Sequence, residues 1–299
     1  MGPAAEKEPS SGGRGHGMSL KIALVQQHAG RDRLENLERG KAAFLEAARA
    51  GARLVVFAEL AFSRFLPQRP ATPETLGEAE TVPGPTTEAF GRLARETGVV
   101  AVLNLFERKG DRTYDSSPVI DTDGHLTGVT RMVHIMEGPG FHERGYYSPG
   151  EGGRLVHETA AGRVGVAICY DRHFPEYMRG LRLLGAELVV IPQAGSVGEW
   201  PEGLFEAEVR TAAFQNGYFA ALANRVGREE ILDFAGESFV VDPDGTVIAR
   251  APGGRDAILY ADCDLARNAV CHARRHFLED RRPSFYAGLG LSEPPGGTE

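Results

Sequence analysis

This 299-residue chain has few cysteines, no long hydrophobic run and no cluster of basic residues. Its three cysteines, Cys169, Cys263 and Cys271, are too sparse for a disulfide scaffold and lack metal-ligand spacing, so we expect a reducing, cytoplasmic environment. No run of about eighteen apolar residues is present, which argues against a membrane span. The net charge of -8, with no run of Lys and Arg, argues against nucleic acid as a partner.

The composition is that of a globular protein with a sizeable core, because 42% of the residues are hydrophobic and 25% are charged. Residues 1–17 are rich in Gly, Pro, Ser, Glu and Lys and contain no apolar segment. We therefore predict that they are a disordered tail or a remnant of the expression vector rather than a signal peptide. Residues 291–299 are predicted to be a disordered C-terminal tail. A single folded domain is predicted over residues 18–290.

Short apolar runs alternate with amphipathic segments along the chain, and this pattern predicts an α/β fold. Strands are predicted at 20–25, 54–57, 99–105, 164–168, 188–191 and 219–223, and helices at 34–50, 85–96, 175–184 and 201–216. The Asp-Gly dipeptides at 123–124 and 244–245 each predict a β-hairpin. No linker rich in Pro, Gly or Ser divides these elements, which favours one domain.

Two residues at the ends of predicted strands are candidates for chemistry. Cys169 follows the apolar run 164–168 and begins the octapeptide Cys-Tyr-Asp-Arg-His-Phe-Pro-Glu. A nucleophile at this position could meet substrate while the strand fixes its backbone, although a Cys is also often a small core residue. Glu59 follows the run 54–57, where burial would raise its pKa towards the range of a general base. A lone Glu at a strand end is more often a surface or capping residue.

Together, Phe57-Ala58-Glu59-Leu60 and the Cys169 octapeptide resemble the nitrilase superfamily of carbon–nitrogen hydrolases. The resemblance implies an α-β-β-α sandwich, subunits that pair into a homodimer or larger homo-oligomer, and no metal or organic cofactor. It covers nearly the whole predicted domain, through Gln26-Gln27, Tyr114-Asp115-Ser116-Ser117, Pro192-Gln193-Ala194, 210–217, 224–227 and 234–238.

The resemblance also implies catalytic roles. The family uses a Cys nucleophile, which aligns with Cys169, and a Glu general base, which aligns with Glu59. A second Glu is common and aligns with Glu143, in the loop 138–147. The backbone N–H of Tyr170 is the expected oxyanion donor.

The family's catalytic Lys is missing from this chain. Its usual Arg-Lys-x-His pattern aligns with Arg131-Met132-Val133-His134, which places Met132 at the Lys position. Arg131 would point to the opposite face of a strand from Met132. The candidate substitutes or pocket residues, each of which also has an ordinary packing or ion-pair interpretation, are His134, His142, Arg144 and Trp200. We interpret Arg172 and His173 as residues that fix the turn after Cys169.

Three functions remain open. The first is a hydrolase of a small-molecule amide or N-carbamoyl amine that works through a Cys169 acyl-enzyme, and losing one oxyanion donor, at about 10²–10³ in rate, would slow it without abolishing it. The second is a non-catalytic nitrilase-like protein that binds a small molecule or partner, which Met132 favours. The third is an acyltransferase. Because the loss of Lys should raise the pKa values of Cys169 and Glu59, a substrate that carries its own positive charge is an attractive version of the first.

Overall fold

The computed structural model describes residues 19–289, so the tails predicted at 1–17 and 291–299 lie outside the described residues. The strands are β1 (Leu20–Gln26), β2 (Leu54–Phe57), β3 (Val100–Val102), β4 (Leu105–Lys109), β5 (Arg112–Ile120), β6 (Leu126–Arg131), β7 (Glu137–Gly138), β8 (Phe141–His142), β9 (Val156–Thr159), β10 (Gly162–Val166), β11 (Leu188–Gln193), β12 (Phe219–Asn224), β13 (Val226–Arg228), β14 (Asp233–Ala235), β15 (Phe239–Val241), β16 (Val247–Arg250) and β17 (Ala257–Cys263). The α-helices are α1 (Arg33–Arg49), α2 (Pro73–Leu76), α3 (Pro85–Thr97), α4 (Pro175–Leu183), α5 (Leu204–Asn216), α6 (His272–His276) and α7 (Pro283–Ala287).

Most of the strands belong to two large sheets. The first has the order β17-β1-β2-β3-β5-β4, with β6 also paired to β5, and the second has the order β16-β15-β12-β11-β10-β9. In each sheet the central strands, β1-β2-β3 and β10-β11-β12, run parallel. Parallel neighbours require a crossover connection, which helices α1, α3, α4 and α5 supply.

The facing sides of the two sheets form the inner core. Ile22 of β1 and Val56 of β2 pack with Val166 of β10, Val190 of β11 and Ala221 of β12. Because successive side chains of a strand point to opposite faces, the neighbouring residues of these strands face outwards. This alternation gives both sheets two apolar faces, so each must be covered on both sides.

Helices cover the outer faces. Phe44 of α1 and Phe90 of α3 pack on the outer face of the first sheet. Met178 of α4 and Val209 of α5 pack on the outer face of the second sheet. The resulting order of layers, helix, sheet, sheet, helix, confirms the α-β-β-α sandwich.

The predicted helices and hairpins are confirmed, but two boundaries differ. The predicted strand 99–105 is interrupted: β3 and β4 pair with β5 in one antiparallel register, but Leu103 and Asn104 between them leave the strand, and the Asn104 side chain bonds Leu60 and Asp115. The helix predicted from residue 201 begins at Leu204, since Gly203 before it has a φ of 79°. Edge strand β17 was not predicted.

The three cysteines are all buried and none forms a disulfide. Within residues 19–289, no helix is both long and apolar enough to cross a membrane. Cys263 and Cys271 lie towards the C-terminal end of the described chain, whereas Cys169 lies at the end of a central strand. Only Cys169 therefore occupies a position where parallel strands deliver side chains to a shared edge.

Candidate active site

The candidate site lies where the parallel strands of both sheets end. Glu59 follows β2 by two residues and Cys169 follows β10 by three. In α/β folds, ligands bind outside the carboxyl ends of parallel strands. Because the two sheets pack face to face, the carboxyl ends of β2 and β10 place the Glu59 carboxyl group close enough to the Cys169 thiol for each to affect the pKa of the other.

Cys169 occupies a strained turn. Its φ is 45°, in the left-handed region that residues with a Cβ rarely adopt, and it begins a short 3₁₀ helix, Cys169–His173. Asp171 fixes this turn, because its carboxylate accepts from the backbone N–H of Ile168 at 3.3 Å and of His134 at 3.0 Å. The thiol is only 5% exposed. The fold therefore holds this candidate nucleophile rigidly and leaves it a narrow approach.

Glu59 is fully buried, and its backbone is fixed from two directions. The guanidinium of Arg225, which follows β12 in the second sheet, donates to the Glu59 carbonyl at 2.9 Å and to the Leu60 carbonyl at 2.5 Å. Asn104 accepts from the Leu60 N–H at 2.8 Å. Leu60, like Cys169, has a positive φ, at 46°. Both side chains of the pair are thus presented from strained, tightly bonded turns.

Two further carboxyl groups surround Glu59. Asp115 of β5 accepts from the Asn104 amide at 2.6 Å and contacts Glu59. Glu143, in a 3₁₀ turn at Glu143–Gly145, accepts from the Met136 N–H at 3.2 Å through one oxygen. Asp115 and Glu143 are both fully buried. Repulsion between neighbouring buried carboxylates favours a proton on at least one of them.

The electrostatics of the site follow from this crowding. Burial, then the charges of Asp115 and Glu143, raises the pKa of Glu59 well above its usual range. Burial raises the pKa of Asp115 to about 7 and that of Glu143 well above its usual range. Burial, then Glu59 and Glu143, also raises the pKa of the Cys169 thiol. Burial and mutual repulsion therefore favour the protonated forms of all four groups.

Met132, which we predicted to stand at the position of the family's Lys, packs near Cys169. It follows β6, is fully buried and belongs to the same apolar cluster as Cys169. Its N–H donates to the Asp115 carbonyl at 3.0 Å, and its carbonyl accepts from the Gly150 N–H at 2.8 Å. Across residues 19–289, no Lys or Arg side chain hydrogen-bonds to the carboxyl groups of Glu59, Asp115 or Glu143.

Comparisons with known proteins agree with this geometry. Residues 21–272 match the family model described as carbon-nitrogen hydrolase. The chain belongs to the carbon–nitrogen hydrolase family. It is 32% identical to a citrullinase of Francisella tularensis over 90% of this chain and 97% of that protein. It is 30% identical to an N-carbamoylputrescine amidase of Oryza sativa over 93% of this chain and 97% of that protein.

A solved structure shares the fold. The carbon–nitrogen hydrolase of Helicobacter pylori G27 superposes with a TM-score of 0.84 at 30% identity, covering 90% of this chain and 98% of that one. The nitrilase-superfamily fold and an amidase-type carbon–nitrogen hydrolase function are therefore shown. The chain is an enzyme of this class.

The candidate replacements for the family's Lys are all engaged elsewhere or face outwards. Arg131 pairs with Glu107 at 2.5 Å, and His134 bonds Asp171 at 2.7 Å. His142 contacts Glu137 at 3.2 Å, and Arg144 is exposed. The Trp200 ring packs on the His173 ring, with 4.9 Å between centroids.

Sequence reasoning named Asp115, Gln193 and Arg172 but gave none of them a contact in the site. Asp115 reaches Glu59 only through antiparallel pairing of β5, which no local pattern reports. Gln193 ends β11, beside β10, and its amide donates to the Cys169 sulfur at 3.1 Å. Arg172, which we expected only to fix the turn, donates to Gln193 at 3.0 Å. The position of Gln193 at a strand end was a signal that could have identified it.

Proposed function

We propose that this enzyme hydrolyses the C–N bond of a small N-carbamoyl amine or amide that carries a positive charge, through a Cys169 acyl-enzyme. The observation that carries the proposal is the buried set of Glu59, Asp115 and Glu143, to which no Lys or Arg of the described chain donates. Buried carboxyl groups are stable as anions only beside a cation. A cationic substrate supplies that cation.

The charge of the substrate would also activate the base. A unit charge about 4 Å from a carboxylate, at an effective dielectric constant of about 20, contributes roughly 4 kcal/mol, or about three pKa units. This interaction opposes the burial that raises the pKa of Glu59. Glu59 would therefore lose its proton when substrate binds, which is when the base is needed.

The names of two relatives support the substrate class. One relative is an N-carbamoylputrescine amidase and another is a citrullinase. Both names refer to molecules that combine a ureido group with an amine. The same combination would place a carbonyl carbon at Cys169 and a cation beside the carboxyl groups of this chain.

The reaction would proceed in two halves. Glu59 takes the thiol proton, the sulfur of Cys169 bonds to the carbonyl carbon, and the tetrahedral intermediate expels the amine, which takes the proton from Glu59. Water then gives a proton to Glu59 and attacks the thioester carbon. The C–S bond breaks and the thiol regains its proton. The Tyr170 N–H, next to Cys169 in the turn, is the proposed donor to the oxyanion, and Glu143 the group that orients the substrate nitrogen.

The test is intact-protein mass spectrometry and product assay with matched substrates. N-carbamoyl-1,4-diaminobutane and N-carbamoylpentylamine have similar lengths and differ in the terminal ammonium group. We expect the cationic compound to form a carbamoyl adduct and to be turned over about 10²-fold faster than the neutral one.

The control is Cys169→Ala, which should bind the cationic compound and form no adduct. Equal turnover of the two compounds would contradict the role of charge. Binding without adduct or turnover in the unmodified chain would favour the second candidate, a small-molecule binding protein, which Met132 at the position of the family's Lys supports.

We also propose that the outer helices of the second sheet form a homodimer interface. Leu183 and Leu184 at the end of α4 are 57% and 58% exposed, and Leu204 and Phe214 of α5 are each 38% exposed. A cavity of about 750 Å³ lies between these two helices, away from Glu59 and Glu143. Contiguous exposed apolar surface marks protein interfaces.

Sedimentation equilibrium tests this interface. We expect a dimer, or a larger even assembly, that the substitution Leu183→Asp dissociates. A monomer before substitution would contradict the proposal.

A further inference from the structure

We infer that Arg172, acting through the Gln193 amide, stabilises the thiolate form of Cys169. This effect replaces part of the stabilisation that the family's Lys would supply. The inference rests on the proposed role of Cys169 as nucleophile. It is carried by a chain of two hydrogen bonds, from Arg172 Nε to Gln193 Oε1 at 3.0 Å and from Gln193 Nε2 to Cys169 Sγ at 3.1 Å.

The direction of this chain follows from the donors. A guanidinium has only donors, so the Gln193 oxygen must face Arg172. The amide NH₂ must then face the sulfur, which resolves the usual ambiguity between amide nitrogen and oxygen. Gln193 therefore donates to Cys169, and such a bond stabilises a thiolate more than a thiol. The nearby cation polarises the amide in the same sense.

Contacts with neighbouring residues fix the orientation of the Arg172 side chain. It is 4% exposed, forms an ion pair with Glu208, and its guanidinium carbon lies 4.3 Å from the centroid of the Phe205 ring. His173 bonds the other oxygen of Glu208 at 2.8 Å. Gln193 is itself 1% exposed, at the end of β11. The relay is thus built from buried, fully directed groups on the second sheet.

The relay acts on a thiol that is otherwise surrounded by acids. Glu59, Glu143 and Glu199 all raise the pKa of Cys169, and the buried Tyr147 phenol faces the same group. Burial lowers the pKa of Arg172, whereas Glu208 and the Cys169 thiolate raise it. Arg172 is therefore a cation that interacts favourably with the thiolate form of Cys169. Arg172 is a positioning residue, because it reaches the sulfur only through Gln193.

The experiment measures the pH midpoint of Cys169 alkylation by iodoacetamide, read by peptide mass spectrometry. Gln193→Leu removes the donor at similar volume, and Gln193→Glu replaces it with an acceptor. We expect the Cys169 midpoint to rise by about one unit in Gln193→Leu and further in Gln193→Glu. Arg172→Met should raise it similarly, and Arg172→Lys should restore part of the shift.

A double variant distinguishes loss of the hydrogen-bond chain from a general loss of structure. In the double variant Arg172→Met/Gln193→Leu the shift should equal that of Gln193→Leu alone, because both changes cut one chain. Additive shifts, or an unchanged midpoint in Gln193→Leu with wild-type thermal stability, would overturn the inference. If the midpoints shift as expected while the unmodified protein turns over no substrate, the relay stands and the proposed hydrolysis fails.

Discussion

The two sides of the site differ in whether their ionisable groups are paired within the protein. The acidic side, defined by Glu59, Asp115 and Glu143 on the first sheet and its loops, holds three buried carboxyl groups with no cation of the described chain bonded to them. The basic side is defined by Arg172 and Gln193 on the second sheet. Its cation, Arg172, pairs with Glu208 and donates to Gln193.

This contrast separates the groups that exchange protons from the groups that position the sulfur. Groups that must exchange protons are left unpaired, so that their pKa values respond to a ligand. Groups that hold the sulfur are paired within the protein, so that they do not move. Substitutions on the acidic side therefore test this contrast, from the largest expected effect to the smallest.

The largest effect is expected from Glu59→Gln. An amide cannot take the thiol proton or activate water, and general acid–base groups contribute about 10²–10⁴ in rate. We expect turnover of the cationic substrate to fall by about 10³-fold or more, measured by product release. The exposed Glu158→Gln on β9 is the matched control and should retain full activity. Comparable loss in both variants would refute the role of Glu59.

Met132→Lys should reverse the substrate preference. A Lys at this position would pair with the carboxyl groups of the acidic side and stabilise the oxyanion, so turnover of the neutral N-carbamoyl compound should rise by about 10–10². Turnover of the cationic compound should fall, because the new ammonium repels it. The ratio of kcat/KM values for the two substrates measures this change, and an unchanged ratio would argue against a cation at this position.

Asp115→Asn should stabilise the fold at neutral pH. The pKa of Asp115 is about 7 in the folded protein against 3.8 as its usual value, so the native state binds more protons between these values and stability falls as pH rises through them. Asn keeps the acceptor for Asn104 and does not ionise. The gain should be absent below about pH 4 and reach roughly 2–4 kcal/mol near pH 7.

Urea denaturation of both proteins at pH 4, 5.5 and 7 measures this gain. The same variant should shift the acidic limb of the pH–rate profile to lower pH, because the Asp115 charge raises the pKa of Glu59. A constant stability difference at all three pH values would mean that Asp115 does not titrate in this window.

The smallest effect is expected from Met132→Leu. The two side chains have similar volumes, so the free energy of unfolding should fall by less than about 1.5 kcal/mol and turnover should be unchanged. Thermal denaturation and the substrate assay check both. A large loss of activity would show that the thioether itself takes part, which packing alone does not predict.

The local pattern of the chain was enough to predict much of the fold and the main pair of residues. Alternating apolar runs gave the central strands and crossover helices, and the strand ends identified Cys169 and Glu59. The prediction was incomplete at residues 99–105, where the continuous apolar run hides the interruption at Leu103 and Asn104. A run of this kind reports burial, whereas the interruption depends on the distant groups, Leu60 and Asp115, that the Asn104 side chain bonds.

The amino-acid sequence by itself determined where a thiol and a carboxyl group end buried strands. Only the tertiary structure decided that Asp115 lies close enough to Glu59 to raise its pKa, and that Gln193 turns its amide towards Cys169. Both arrangements join segments far apart along the chain, because β5 brings Asp115 into the first sheet and the buried Arg172 orients Gln193 in the second. Their orientation is set by the directions of hydrogen-bond donors in three dimensions, which side-chain order along a chain does not encode.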